Sequence, residues 1–217
     1  MAISETNHGV TLAIDIPRGY VALPLEGVDD SIQRAAVFLA EVASDDIQEA
    51  SSDVLQKMGF LLTQLAARNV VYCGLGRHFS EDREPVTSAL VIHLNTLGDQ
   101  RNPRLVLGEA LTAKRNAGEV FSNVELVDIA GRPSLILDRV RVLPIPEISG
   151  REPDTPESSI YQIEAIVSAP DGSAIAAIDF STPFIEHGEE YLPMVVGMIG
   201  SIEFVSEFRP ETSSLDL

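Results

Sequence analysis

The most reactive side chains of this sequence are one cysteine, Cys73, and four histidines, His8, His78, His93 and His187. Cys73 stands within the apolar run 70–75. A thiol becomes a nucleophile when a nearby cation or a helix N-terminus lowers its pKa. Arg77 and His78 are close in the sequence, but the alternation of side chains along a strand does not place them beside the sulfur. The apolar surroundings therefore predict a buried, unreactive thiol.

No motif in the sequence specifies a metal or cofactor site. The pair Gly74 and Gly76 lacks the third glycine of a dinucleotide-binding loop, because Phe79 occupies that position. His187 lies among glutamates whose spacing matches no zinc-protease pattern, and we expect a solvated, acidic helix start there. The glycine-flanked serine of a hydrolase nucleophile elbow is also missing from the sequence. We predict no cofactor and assign no catalytic residue.

The sequence is strongly acidic, with 33 acidic residues, 15 basic residues and a formal net charge of −18. Nucleic acid and anionic membrane are poor partners for such a chain, because both are bound through a basic surface. One stretch opposes this trend, and its cations are the candidate partner-binding residues: Arg101, Arg104, Lys114 and Arg115. The last turn of a helix also favours cations, so a structural role for Lys114 and Arg115 stays open.

Cysteine content and apolar runs indicate the compartment. A single cysteine cannot form an internal disulfide. The first residues contain no basic region followed by an apolar run, so we expect no secretory signal. No apolar stretch approaches the roughly 18 residues of a membrane-spanning helix. We therefore expect a cytoplasmic protein that does not insert into a membrane.

Hydrophobic periodicity and turn residues predict a chain of mixed helices and strands. Strands are predicted at 10–16, 20–25, 70–75, 88–94, 124–129, 134–143, 160–168 and 175–180, and helices at 32–42, 54–67 after a cap at 51–53, 103–118 and 194–199. A polar loop is predicted at 78–85 and a hairpin turn at 131–133. A loop rich in proline and acidic residues is predicted at 144–158, and a frayed tail from about residue 209. This order favours one domain, residues 1–217, of the α/β (α+β) class: a three-layer α/β/α sandwich with a mainly antiparallel sheet. Two domains divided at 144–158 remain the alternative.

Three stretches resemble the Mog1/PsbP-like fold group: PRGY at 17–20, DFSTP at 179–183 and the closing stretch 191–204. In that group helices enclose a mixed sheet, and the last hairpin leads through a Thr-Pro segment to a closing helix. Members act mainly as binding or assembly factors, so the resemblance implies protein–protein interaction. No binding residue carries over, because none of the group's binding motifs is matched.

The sequence thus favours a non-catalytic adaptor or assembly factor in a bacterial cytoplasm, with another protein as its partner. An enzyme is the second hypothesis, with a site assembled from scattered residues such as Cys73, His78 or His93 beside carboxylates. A small-ligand or lipid-binding module is the third. The oligomeric state stays open.

Overall fold

The computed structural model describes residues 2–7, 10–42, 44–145 and 157–206. These residues form ten strands, four α-helices and one 3-10 helix. The strands are β1 (Ala2–Asn7), β2 (Val10–Asp15), β3 (Tyr20–Ala22), β4 (Val70–Phe79), β5 (Pro85–Thr96), β6 (Asn123–Ile129), β7 (Arg132–Pro144), β8 (Glu157–Ser168), β9 (Ala174–Thr182) and β10 (Glu203–Ser206). The α-helices are α1 (Val28–Val42), α2 (Asp45–Ala66), α3 (Pro103–Asn116) and α4 (Leu192–Ser201), and the 3-10 helix spans Ile185–Tyr191. None of the helices in this described part is long and apolar enough to cross a membrane.

Seven strands form one antiparallel sheet in the order β3-β4-β5-β9-β8-β7-β6. A smaller antiparallel sheet has the order β1-β2-β10. The prediction of a mixed α/β fold with a mainly antiparallel sheet is therefore confirmed. The large sheet is built chiefly from hairpins, which need only short connections between neighbouring strands.

The two faces of the large sheet pack against different layers. Alternate residues of β5, β8 and β9 point to one face, where Ile163, Ile178 and Phe180 are fully buried against α4 and the small sheet. We call this the opposite face, because it lies on the other side of the sheet from the helices α1, α2 and α3. It carries the largest apolar cluster, to which α4 contributes Val195 and Ile199. One outer layer of the predicted sandwich is therefore part helix and part sheet.

The other face packs against α1, α2 and α3, and we call it the helical face. Leu62 of α2 packs on Val70 and Cys73 of β4. Leu107 of α3 packs on Leu135 of β7 among other residues of β7 and β8. Helices thus lie on both sides of the sheet, as the sandwich prediction requires.

Helix α3 begins and ends at the residues that its sequence signals predict. The Asn102 side chain accepts a hydrogen bond of 2.9 Å from the Arg104 amide, and Pro103 occupies the first turn, where its missing donor costs nothing. Gly118 follows with a φ of +81°, the left-handed conformation that ends many helices.

Several predicted boundaries are wrong. Helix α1 begins at Val28 and α2 at Asp45, both earlier than expected. The predicted loop at 78–85 contracts to a turn that lengthens β4 and β5. The Ser80 hydroxyl accepts a hydrogen bond from the Glu84 amide, and the Ser80 amide donates one to the Glu84 carbonyl. The β6–β7 turn lies at Ala130 and Gly131, both with positive φ, one residue before the predicted position.

The predicted loop 144–158 is shorter than expected. Pro144 pairs with Glu157 and Leu143 with Ser158, so the ends of that stretch belong to β7 and β8. The remainder, 146–156, and the tail predicted to fray from about residue 209 lie outside the described residues. Strands β1 and β10 were not predicted at all.

Candidate functional site

Side chains of five neighbouring strands meet in rows across the helical face. The strand register sets three of these rows. The first contains Cys73, Val91, Asp179, Glu164 and Leu137, and the second contains Leu75, Ala89, Ser181, Gln162 and Arg139. The third contains the pairs Arg77–Thr87 and Ile160–Arg141, whose inner members Thr87 and Ile160 line the same cavity. Each row therefore brings together residues that are far apart in the sequence.

The helices cover only part of this face. Cys73 and Leu137 of the first row are buried beneath α2 and α3. In the second row Leu75 is 46% exposed, and Phe79 at the end of β4 is 69% exposed. The uncovered part includes a shallow cavity of about 350 Å³. We call the second and third rows together with Phe79 the open half of the helical face.

The open half combines apolar and cationic groups. Its cavity is lined in part by Leu75, Thr87, Ala89, Ile160 and Ser181, which are small or apolar except for two hydroxyls. The third row ends in an arginine on each side, Arg77 on β4 and Arg141 on β7, and both are exposed. An apolar floor between arginines can bind apolar side chains together with carboxylates.

A charged network beneath α3 overlaps the open half at Gln162 and Arg139 of the second row. The Lys114 ammonium lies 2.7 Å from Glu164 Oε1 and 3.7 Å from Glu119 Oε1. Glu119 also pairs with Arg139, whose Nε donates a 3.0 Å hydrogen bond to Gln162 Oε1. These contacts join α3 to β7 and β8.

The network continues to β9 and β5. Gln162 Nε2 donates to Asp179 Oδ1 at 3.2 Å, and His93 Nε2 lies 3.4 Å from Asp179 Oδ2. The hydrogen bond with Asp179 raises the pKa of His93 despite partial burial. Burial raises the pKa of Glu164, and the nearby Asp179 raises it further, while Lys114 opposes the rise. Because most of these groups bond one another, with Glu164 Oε2 as an exception among the described residues, the network supports the rows structurally.

The four candidate partner-binding cations do not form one free patch. Arg101 pairs with Glu109 at 2.6 Å, and Arg104 pairs with Asp128 at 2.5 Å. Lys114 points toward the sheet, where it neutralises the buried Glu164, and Arg115 is exposed. The sequence could not distinguish these positions, because their roles depend on which side of α3 faces the sheet.

The three residues of the scattered catalytic set do not share one face of the sheet. Cys73 is buried on the helical face, so the predicted burial is confirmed, and burial raises the pKa of its thiol. His93 shares that face. His78 lies on the opposite face, in register with Val86, a residue of the main apolar cluster.

The sequence predicted a solvated His187, and this prediction is wrong. Its side chain is buried, and Nδ1 lies 2.7 Å from Glu190 Oε1 while Nε2 lies 3.5 Å from Glu84 Oε2. Glu190 also accepts the Glu81 amide at 2.9 Å. These contacts bind the 3-10 helix to the β4–β5 turn. Within the described residues, no three His, Cys, Asp or Glu side chains are grouped so as to hold a metal ion.

Sequence reasoning missed a polar cluster on the opposite face. Tyr20 Oη lies 2.9 Å from Ser88 Oγ, and His78 Nε2 lies 3.1 Å from the same oxygen. The available signal was the alternation of Tyr72, Gly74, Gly76 and His78, which puts two glycines on one face of β4. Glycine in a strand often marks a close approach by another group.

The fold and these sites define a mixed α/β protein with one incompletely covered sheet face. Comparison with protein-family models gives no match, and comparison with curated proteins finds no relative.

Proposed function

We propose that this chain is a non-catalytic protein-interaction module, an adaptor or assembly factor, which binds an acidic segment of another protein on the open half of the helical face. The observation that carries the proposal is the uncovered apolar surface of the central sheet. A sheet normally buries its apolar face against another layer. Here Leu75 and Phe79 stay exposed on β4, a strand whose other end is buried by α2.

The chemistry of this surface favours a protein segment as its occupant. Contiguous exposed apolar residues mark interaction sites, and arginine is enriched at protein interfaces. The cavity of about 350 Å³ is open and shallow, which suits the side chains of a partner.

Charge favours an acidic partner segment at this place. The chain has a net charge of −18 and repels acidic proteins over most of its surface. Arg77 and Arg141 provide a local exception, and like-charge repulsion elsewhere would orient the partner toward them. The same net charge argues against nucleic acid as the partner.

The resemblance to the Mog1/PsbP-like group supports the same class of function, since its members act mainly as binding or assembly factors. We place this adaptor in a bacterial cytoplasm as part of the proposal, supported by the single cysteine, which cannot form an internal disulfide. We assign no partner name.

A photo-crosslinking experiment tests the location of the interface. A photoreactive amino acid replaces Thr87 on the open half or, as a control, Thr112 on the exposed side of α3. Crosslinking in host lysate is then repeated with two charge-reversed variants, R77E/R141E and R104E/R115E. We expect a discrete protein adduct at Thr87 and none at Thr112. R77E/R141E should reduce the adduct at least tenfold, and R104E/R115E should leave it intact.

The outcomes separate the hypotheses. Circular dichroism must first show that both variants are folded. Loss of the adduct only in R104E/R115E moves the interface to α3, and no discrete adduct at Thr87 contradicts docking on the open half. An adduct with a second copy of the chain replaces the heterologous partner with self-association.

A further inference from the structure

Strand β6 is one end of the seven-stranded sheet, and no strand of the described chain lies beyond it. Natural edge strands are commonly guarded against further pairing by short length, proline, lysine or a bulge. The strand at the other end, β3, is only three residues long. Strand β6 has seven residues without proline or lysine, and its register with β7 is unbroken from Asn123 to Ile129. This edge therefore lacks the usual guards.

The turn after β6 shows which way the backbone groups at its end point. Ala130 and Gly131 both have a positive φ, and Ile129 pairs with Arg132, which defines a two-residue hairpin. A hairpin of this kind closes with hydrogen bonds between the residues that flank the turn. The N–H and C=O groups of Ile129 are therefore directed toward β7.

Backbone direction alternates along the rest of β6, as it does along any antiparallel strand. The Asn123 amide at the start of the strand also points toward β7, where it donates a 2.7 Å hydrogen bond to the Asp138 side chain. The residues of opposite direction, Val124, Leu126 and Asp128, therefore present their N–H and C=O groups at the free edge. Unpaired groups of this kind form a template for a further strand.

The side chains at this edge are largely exposed, and its centre is apolar. Leu126 in the middle of β6 is 50% exposed, and Val120 just before the strand is 81% exposed. The charge of Asp128 is balanced by Arg104 of α3 at 2.5 Å. Unpaired backbone groups with an apolar centre are what another strand needs for pairing.

We propose that β6 is a homodimer interface, at which two copies of the chain pair their β6 strands antiparallel about a twofold axis at Leu126 and join their sheets. A second copy supplies a strand that is already formed, so no flexible segment has to be ordered on binding. The contact closes by symmetry, whereas pairing of β6 with the short β3 of another copy would form an open chain of copies.

The charge pattern of β6 is self-complementary in this register. With Leu126 opposite its own copy, Glu125 lies opposite Val127 and Asp128 lies opposite Val124. No two like charges are then direct cross-strand neighbours, which would destabilise the pair. A register centred on Glu125 would oppose two carboxylates. One centred on Val127 would put Val124 opposite a turn residue, so fewer of the outward backbone groups would pair.

Size and charge predict a weak dimer that salt strengthens. One pair of short strands buries less surface than an obligate interface, so we expect a dissociation constant on the order of micromolar or weaker. Each copy has a net charge of −18, so the copies repel each other. The Debye length falls from about 10 Å at 0.1 M salt to about 3 Å at 1 M, which screens this repulsion. Binding of an acidic partner at Arg77 and Arg141 should weaken under the same change.

Sedimentation equilibrium of the intact chain, from about 1 μM to about 1 mM, measures the dimer. We expect the dissociation constant to fall at least about threefold between about 0.1 and 1 M NaCl. L126K should weaken dimerisation at least about tenfold, because two lysines would then face each other at the twofold axis. V37K is the matched control, since Val37 on α1 is 51% exposed and the charge change is the same. Its dissociation constant should equal that of the wild type.

Cysteine crosslinking tests the register. Directly opposite residues of a hydrogen-bonded pair have Cα atoms about 5.5 Å apart, which a disulfide can span, whereas diagonal neighbours at about 7–8 Å are too far apart. Oxidation of L126C with diamide should therefore give a covalent dimer. E125C is the control, because its two copies lie diagonally across the axis, and it should give little. The native Cys73 is buried and common to both variants.

The outcomes decide between the possible interfaces. A monomer at every concentration overturns the proposal, and so does a folded L126K variant that dimerises like the wild type. If L126K does not fold, the crosslinking decides, and equal yields from L126C and E125C overturn the proposal. R77E/R141E should leave the dimer intact at 1 M NaCl, where repulsion is screened, and loss of the dimer there would move it to the open half. A monomer whose β6 instead binds a host protein would replace the second copy with a foreign strand.

Discussion

His187 connects two parts of the chain that are distant in the sequence. Its imidazole joins Glu190 on its own 3-10 helix to Glu84 at the end of the β4–β5 turn. The hydrogen bond to Glu190 is the main cause that raises the pKa of His187. The Glu81 amide and then His187 lower the pKa of Glu190. The contact is therefore strongest when the imidazole is charged and the carboxylate ionised.

Replacing His187 should change how stability depends on pH. The folded pKa of His187 lies above the ordinary value of about 6.5, so its contribution is complete below that pH and is lost as pH rises through the folded pKa. The pKa of Glu190 is lowered, so its contribution is present above about pH 4.3 and is lost as pH falls. We expect the difference in melting temperature between wild type and H187Q to be largest between about pH 5 and 6.5. A difference that does not shrink by pH 8 contradicts this account.

At the scale of elements, sequence signals predicted those helices and strands whose ends are fixed by residues next to them in the sequence. The caps of α3 are an example, because Asn102, Pro103 and Gly118 act on neighbouring backbone. The length of the connection between β4 and β5 was overestimated, since the observed turn runs only from Ser80 to Glu84. The reason is that backbone pairing between strands, not composition, decides where a strand ends. Strands β1 and β10 were missed because β2 supplies the pairing partner of both.

The candidate site was less predictable than the fold. Alternation predicts that Leu75 and Arg77 share one face of β4. It does not show that Ile160 and Arg141 lie in the same part of that face, because this follows from register across three further strand pairs. Which part of the face stays uncovered depends on where α2 and α3 pack, a further non-local property.

The ion pair between Lys114 of α3 and Glu164 of β8 gives a prediction at this scale. Lys114 neutralises Glu164, which is 7% exposed and has one buried oxygen without a hydrogen-bond partner among the described residues. Removing one partner of a buried ion pair costs about 3–5 kcal/mol. Because Lys114 is itself 21% exposed, we expect K114A to lower the free energy of unfolding by about 3 kcal/mol.

Chemical denaturation of matched variants measures this effect. R115A is the control on the next residue of α3, and its exposed side chain should cost less than about 0.5 kcal/mol. Adding E164Q to K114A should restore part of the loss, because it removes the unpaired charge. Equal effects of K114A and R115A would show that the pair does not stabilise the fold.

At the scale of the whole molecule, the sheet links the two ends of the chain. Strands β8 and β9 follow the acidic stretch 146–156 in the sequence, yet they lie between β5 and β7, which precede it. Without them the sheet would separate into β3-β4-β5 and β6-β7. Ile163, Ile178 and Phe180 of the main apolar cluster would also be lost.

A single cut within 146–156 should therefore leave the protein assembled. The prolines and acidic residues of this stretch make it the expected first site of limited proteolysis, and an engineered protease site at Gly150 makes the cut unique. We expect the cut protein to elute from gel filtration at the volume of the intact chain and to unfold in one transition. The reason is that β7 and β8 pair from Ser134 with Val167 to Pro144 with Glu157, and both edges of the β8–β9 hairpin are bonded to the other fragment. Mixing the separated fragments after denaturation should restore the same elution volume, whereas neither fragment alone should fold. Two separable fragments that each unfold cooperatively would instead establish two domains.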